Sequence, residues 1–282
     1  MSTTPENSLI SAIYRPALLS KICTKSPKHS LGRRKVSSMR VGVYVDGFNL
    51  YYGAKFIMGG SGQPGWRWLD LRALSCNLVA QQSGWSGAVV SRVVYCTARI
   101  SGAANSTGQR DQDTYLRALK THNAVDVCAE GSYVNRVATA PLAKKGTGGR
   151  PVLVTADWPI MVQDASGAAV PGARFMASVA RREEKGSDVN VVSHLLIDMY
   201  EQRIDGAVVI SNDSDLAFPV KHARGRIPIG LVNPTKGYPA GALNGSPSDG
   251  VGGHWWYQLK NTDLTTAQLP ATVGRLRRPV GW

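Results

Sequence analysis

Acids, cysteines and long apolar runs are all scarce in this sequence. Asp and Glu number 19 against 33 Lys and Arg, a formal net charge of +14, which disfavours basic partners and suits phosphate backbones or anionic surfaces. A solvated basic face has the same composition, so charge alone does not choose a partner. The four cysteines, Cys23, Cys76, Cys96 and Cys128, lack the paired spacing of zinc sites and read as buried thiols in a reducing compartment. No stretch approaches the ~18 apolar residues of a membrane span, and the apolar segment at residues 9–19 is interrupted by Ser11, Arg15 and Pro16. The five histidines include no HExxH or comparable pair, which argues against a zinc hydrolase and leaves His194 and His222 as ordinary helix residues. There is no internal repeat, no arginine-rich motif and no RRM signature. The expectation is a cytoplasmic protein that does not enter membranes; monomer and homodimer both stay open.

What is present is an alternation of strands and helices from Met39 onward. Residues 1–38 hold Arg15, Lys21, Lys25, Lys28, Arg33, Arg34 and Lys35 against the single acid Glu6; they read as a disordered basic arm or an over-extended start before Met39. Residues 41–45, 88–97, 124–128, 207–211 and 227–232 read as strands. Residues 49–57, 68–82, 111–122, 187–200 and 214–222 read as helices, with Val191, Val192, Leu195, Leu196 and Met199 on one stripe of the fourth. Residues 133–137 and 151–155 read as a β-hairpin insertion, residues 157–180 are ambiguous, and residues 236–282 read as an irregular extension with a basic end. Such alternation implies right-handed crossovers and a parallel sheet with helices on both faces, filling one domain over residues 39–235.

Against the basic background, three acidic patches stand where an apolar segment gives way to a polar turn: Asp46 with Asn49, Asp188 after Lys185-Gly-Ser, and Asp213 with Asp215 after Asn212. Asp46 and Asp213 follow short β-branched runs, so both fall at strand C-terminal ends, where open α/β sheets bind ligands. Each patch alone has a structural explanation, since Asp caps helices and starts turns. Carboxylates converging from distant parts of the chain would repel one another unless a cation were present. Mg²⁺ or Mn²⁺ suits oxygen ligands and activates water at phosphorus.

The sequence resembles an NYN-domain protein of the LabA-like branch, within the PIN-like nuclease superfamily. The resemblance rests on Val43-Tyr-Val-Asp-Gly-Phe-Asn-Leu-Tyr-Tyr-Gly53, Thr114-Tyr-Leu-Arg-Ala-Leu119, Glu184-Lys-Gly-Ser-Asp-Val-Asn190, Val209-Ile-Ser-Asn-Asp-Ser-Asp-Leu216 and Gly230-Leu-Val-Asn-Pro234. It runs from about Met39 to Pro270. It implies an α/β fold, a PIN-like (Rossmannoid) three-layer sandwich with a central, mainly parallel sheet, and a metal-dependent ribonuclease. It also implies an acidic site formed by Asp46, Asp188, Asp213 and Asp215, supported by Asn49. The sequence departs from the commonest family form in having Asn212 where Gly is frequent and Phe218 where an acid often follows.

RNA, single-stranded in the simplest case, is the partner that fits these features. Lys185, Lys221, Arg224, Arg226, Lys144, Lys145 and Arg150 are candidates to neutralise phosphates, and Tyr51, Tyr52 and Trp66 to stack on bases. The same residues also fit a solvated basic face and a packed core. Two other functions compete with a Mg²⁺- or Mn²⁺-dependent endoribonuclease. One is a non-catalytic RNA- or protein-binding adaptor. The other is phosphotransfer through Asp46 as nucleophile, disfavoured because Gly47-Phe48-Asn49 supplies no second acid.

Overall fold

The computed structural model describes residues 38–60, 62–103, 105–155 and 162–282. The basic arm over residues 1–37 and part of the ambiguous stretch, residues 157–161, lie outside the described residues. Seven strands form the main sheet: β1 (Arg40–Asp46), β2 (Val89–Ala98), β3 (Val127–Pro141), β6 (Met176–Lys185), β7 (Gly206–Ile210), β8 (Ile229–Asn233) and β9 (Trp255–Gln258). Between β3 and β6, β4 (Ala143–Lys145) and β5 (Pro151–Leu153) make a separate small ladder. The helices are α1 (Gly47–Ile57), α2 (Leu71–Ala80), α3 (Ser106–Thr121), α4 (Ser187–Tyr200), α5 (Ala217–Arg224) and α6 (Asn261–Thr266).

The sheet order is β6-β3-β2-β1-β7-β8-β9. Every pairing is parallel except that of β3 with β6. The chain winds outward from β1 in one direction through β2 and β3, then returns to β7 on the other side of β1 and continues to β8. The β1–β7 boundary is therefore the topological switch point, where the loops leaving adjacent strands diverge and open a crevice.

Side chains of the central strands alternate between two apolar clusters. Val41, Val43 and Val45 of β1 join Val208 and Ile210 of β7 in a cluster with residues of α1, α2, α3 and α6. Tyr44, Ala207 and Val209 belong to the other, with Val191, Leu195 and Val220 from α4 and α5. Burial on both faces explains why these strands read as continuous apolar runs. Polar caps set the helix starts: Asp46 accepts from the Phe48 and Asn49 N–H groups, Asp70 from Arg72 and Ala73, and Asn105 from Gly108. Asp70 therefore precedes its helix rather than lying inside it, and the Asn105 cap starts α3 five residues before the expected Asp111.

Two expectations are corrected. Residues 133–137 do not pair with residues 151–155. They lie within the long strand β3, whose residues Ser132–Pro141 pair with Met176–Lys185 of β6, while Pro151–Leu153 pair with Ala143–Lys145. Residues 236–282 carry more regular structure than a loop: β9 extends the sheet beside β8, and Leu259, Leu264, Leu269 and Val273 are buried in the first cluster. Burial of those four aliphatic side chains, each worth about 1.5–3 kcal/mol in transfer terms, holds the C-terminal segment against the sheet.

Candidate active site

Asp46 ends β1 and caps α1, so its carboxylate serves the helix and the crevice at once. It is 1% exposed. Oδ1 accepts from the Phe48 N–H at 3.1 Å and the Asn49 N–H at 2.9 Å, and Oδ2 accepts from Ser211 Oγ at 2.8 Å. Burial raises its pKa, opposed by the Asn49 N–H and the Ser211 hydroxyl. Ser211 follows the end of β7 and its Oγ also accepts the Asp213 N–H at 3.1 Å. Asp213 Oδ1 in turn accepts the Asp215 N–H at 3.0 Å, which caps the short helical turn Ser214–Leu216.

Asn49 reaches the same turn from α1. Its Oδ1 accepts the Asn212 N–H at 3.0 Å. Asn212 is itself fixed: its Nδ2 donates to Thr235 Oγ1 and to the Tyr238 carbonyl, and its Oδ1 accepts the Ala240 N–H. The Asn212 side chain thus ties the β7 turn to the loop after β8.

Asp188 arrives from the first turn of α4. Gly186 precedes that helix with φ +98°, a left-handed conformation that favours glycine, and the reversal there sets Asp188 in the first turn of α4. Its pKa is pushed up to about 6, by burial first and then by the charges of Asp46, Asp213, Glu184 and Asp215. The geometry that joins acids here is the Ser211 hydroxyl, which bridges the Asp46 carboxylate and the Asp213 N–H. Glu184 is the acid near Asp188 that sequence reasoning did not assign, although it opens the Glu184-Lys-Gly-Ser-Asp segment. It accepts from the Ser187 N–H at 3.1 Å and from Ser187 Oγ at 2.7 Å, and its proximity to Asp188 depends on the β6–α4 reversal, which composition does not reveal.

Among the described residues no three His, Cys, Asp or Glu side chains close into a group that could hold a metal ion. The donors themselves are all hard oxygen, with Asp46 buried, Asp188 and Asp213 half-buried and Asp215 exposed, and repulsion among carboxylates is the condition a divalent cation relieves. This set fits a hydrated Mg²⁺ or Mn²⁺ held by one or two carboxylates better than an all-protein cage, because Mg²⁺ retains several of its waters.

The NYN domain model matches residues 40–229, most of the chain. The chain belongs to the NYN domain family. This NYN-domain chain is also 27% identical over 260 residues to the 6-hydroxy-3-succinoylpyridine 3-monooxygenase HspA of Pseudomonas putida, covering 86% of this chain and 74% of that protein. A solved structure of a protein of unknown function from Vibrio parahaemolyticus RIMD 2210633 aligns over 80% of this chain and 96% of its own, with 13% identity and a TM-score of 0.38.

The remaining candidates of this NYN domain scatter. Tyr51 and Tyr52 lie exposed on α1, and Lys221 is exposed on α5. Lys185 is exposed at the end of β6, with Nζ 3.2 Å from Glu183. Lys144, Lys145 and Arg150 are exposed on and beside the β4–β5 ladder. Three do not serve as expected. Trp66 is 1% exposed, a core residue whose ring lies 5.4 Å from that of Tyr51, so it offers no face to a base. Arg224 is buried, donates to the Leu243 carbonyl at 3.0 Å, and has its pKa lowered by burial. Arg226 stands over the Tyr200 ring at 5.3 Å, in a cavity shared with Arg40 and Asp205. Arg40 opens β1 and Asp205 precedes β7, at the opposite ends of those strands from Asp46 and Ser211.

Proposed function

We propose that this chain is a divalent-metal-dependent endoribonuclease whose active centre is Asp46, Asp188, Asp213 and Asp215, with Asn49 as the residue that positions the β7 turn. The observation that carries the reading is the Ser211 hydroxyl bridge between Asp46 and the turn bearing Asp213 and Asp215 at the β1–β7 switch point, in a domain whose family is one of PIN-like nucleases. The LabA-like branch, the three-layer form of the sandwich and a cytoplasmic location belong to the same reading. Among the described residues no helix is long and apolar enough to cross a membrane.

In this reading the carboxylates of Asp46, Asp188, Asp213 and Asp215 would hold a hydrated Mg²⁺ or Mn²⁺ ion, one or two of them directly. The ion would supply positive charge at the phosphate and make a water more acidic. The protein's own part is preorganisation. Ser211 and the α1 N–H groups fix Asp46 in one rotamer, Asn49 holds the turn that presents Asp213, and Lys185 adds a cation at the edge for the RNA backbone. Burial of Asp46 strengthens its own contacts to Ser211 and the α1 N–H groups relative to water.

The test is cleavage of end-labelled single-stranded and hairpin RNAs, with matched DNA, by wild type and Asp213→Asn in Mn²⁺, Mg²⁺ or EDTA. Metal-dependent RNA cutting that disappears in the folded variant supports the assignment. Cutting that survives Asp213→Asn sinks it, and RNA binding without any cutting by wild type moves the assignment to an adaptor.

One observation favours a second reading, oxygenation of a small heteroaromatic acid: the likeness to HspA spans 86% of this chain. Oxygen uptake and hydroxylated product from 6-hydroxy-3-succinoylpyridine, with a reductant supplied, would establish it. The acidic residues at the switch point give the nuclease reading precedence.

A further inference from the structure

Beside the acidic centre runs a groove of about 460 Å³, lined by Phe48, Asn49, Tyr52, Phe56 and Lys236 among others. One wall is α1. Asn49, Tyr52 and Phe56 recur at helical spacing, so the stripe that begins at the site residue Asn49 continues outward as two aromatic rings, about 5.4 Å per turn. Such stripes ordinarily face a core, yet Tyr52 is 62% and Phe56 66% exposed. The other wall is the loop after β8. It is held rigidly, because Asn233 Oδ1 accepts from Thr235 N–H and Thr235 Oγ1 while Asn233 Nδ2 donates to the Gly237 carbonyl at 2.8 Å. The two walls meet closely at Gly53, where a Cβ would stand 2.2 Å from the Pro234 carbonyl oxygen.

Two further exposed aromatics lie outside the groove's lining. Phe218 on α5 is 81% exposed, and Tyr238 is 95% exposed with its carbonyl bound by Asn212. Lys236 lies with its Nζ 5.6 Å from the Phe56 ring centroid, a cation beside a flat apolar surface. Exposed rings beside a lysine, in a chain of net charge +14, complement a strand of unpaired bases joined by phosphates. A duplex buries the faces of its bases and has nothing to offer these rings.

We propose that the α1–loop groove is a base-stacking subsite for single-stranded RNA, in which Tyr52 and Phe56 take unpaired bases next to the cut phosphate and Lys236 contacts the backbone. The proposal deepens the nuclease reading and rests on RNA being the substrate. It makes the enzyme selective for unpaired RNA through residues that touch no reacting atom.

Binding tested separately from cutting distinguishes the two ideas. Fluorescence anisotropy in the Asp213→Asn background would compare a single-stranded RNA, the same RNA with abasic positions, and a duplex. Tyr52→Ala and Phe56→Ala should each weaken binding of the single strand about tenfold and leave duplex binding unchanged, with Phe56→Trp restoring affinity. Lys236→Gln should shallow the salt dependence by roughly one phosphate contact. Unchanged affinity in the aromatic variants, or equal losses on single strand, abasic strand and duplex, overturns the subsite. So does occupation of the groove by 6-hydroxy-3-succinoylpyridine with no RNA bound, which would assign it to a small heteroaromatic acid. Wild-type protein that fails to cut RNA but loses single-strand affinity on Tyr52→Ala keeps the subsite and sinks the nuclease. Cutting without any effect of these variants does the reverse.

Discussion

Ser211 Oγ donates to Asp46 Oδ2 at 2.8 Å and accepts the Asp213 N–H at 3.1 Å, so one neutral hydroxyl joins the ends of β1 and β7. Ser211 is fully buried. Without it, Asp46 Oδ2 loses its partner in a region water scarcely reaches, and the turn bearing Asp213 loses a fixed point. Ser211→Ala should therefore cost about 1–3 kcal/mol of stability and lower cleavage further than it lowers RNA affinity. Urea denaturation alongside single-turnover kinetics reads both, and a variant as stable and as active as wild type would show the bridge to be dispensable.

A second buried carboxylate has a purely architectural part. Asp198 on α4 is fully buried, accepts from Tyr44 Oη at 2.9 Å and Arg203 Nη1 at 3.0 Å, and lies 2.6 Å from Arg92 Nε. It pins α4 to β1 and β2, and the Tyr44 hydroxyl is driven well above its usual pKa by burial and by that charge. Asp198→Ala takes the carboxylate from the buried Tyr44 hydroxyl and from Arg92, while the half-exposed Arg203 keeps Glu201, and should cost about 1–3 kcal/mol. Since α4 carries Asp188, metal affinity should fall too, but only as far as the folded fraction falls. Chemical denaturation with parallel calorimetric Mn²⁺ titration checks this.

The strands flanking the crevice are legible in the sequence because β1, β7 and β8 are buried on both faces and consist of β-branched and aliphatic residues. Asp46 and Asp213 stand out for a related reason, since each follows such a run in a basic chain, whereas Asp188 is legible from the Lys185-Gly-Ser-Asp188 turn. The second half of β3 and all of β6 carry no such signal. Arg136, Arg181 and Glu183 sit among valines and alanines that are themselves exposed, so pairing is made by the backbone ladder and not by a hydrophobic face. β9 is hidden for another reason, being four residues long and preceded by Gly-rich turns. Trp66 and Arg224 show the converse limit, since residue type suggests contact with RNA while packing buries both side chains.

Gly53 makes a sharp prediction about the groove. An added Cβ would meet backbone atoms of Pro234, at 2.2 Å from the oxygen and 2.6 Å from the carbonyl carbon, and neither can rotate away. Gly53→Ala must push α1 from the loop, at about 1–3 kcal/mol, and would strain the Asn49 contact to the Asn212 N–H at the other end of the same helix. Lower melting temperature with weakened single-strand binding is expected; unchanged values for both would mean the loop yields freely.

The acidic centre predicts how pH and metal ions trade places. Asp188, with its pKa pushed up to about 6 by burial and then by the charges of Asp46, Asp213, Glu184 and Asp215, binds its proton more tightly in the native state than in the unfolded chain. The stabilising proton is fully present below the ordinary carboxyl value and is lost as pH rises through about 6, so this group makes stability fall with pH across that window. A divalent cation replaces the proton as the partner of the ionised carboxylates. Added Mn²⁺ should therefore raise the melting temperature more at about pH 7.5 than at about pH 5, and Asp188→Asn should remove most of that difference while raising stability in metal-free buffer at the higher pH. Differential scanning fluorimetry with Mn²⁺ or EDTA measures it without any substrate. An equal Mn²⁺ effect at both pH values in wild type would mean that the ion does not compete with the Asp188 proton, and the carboxylates at the β1–β7 switch point would lose their assignment as its ligands.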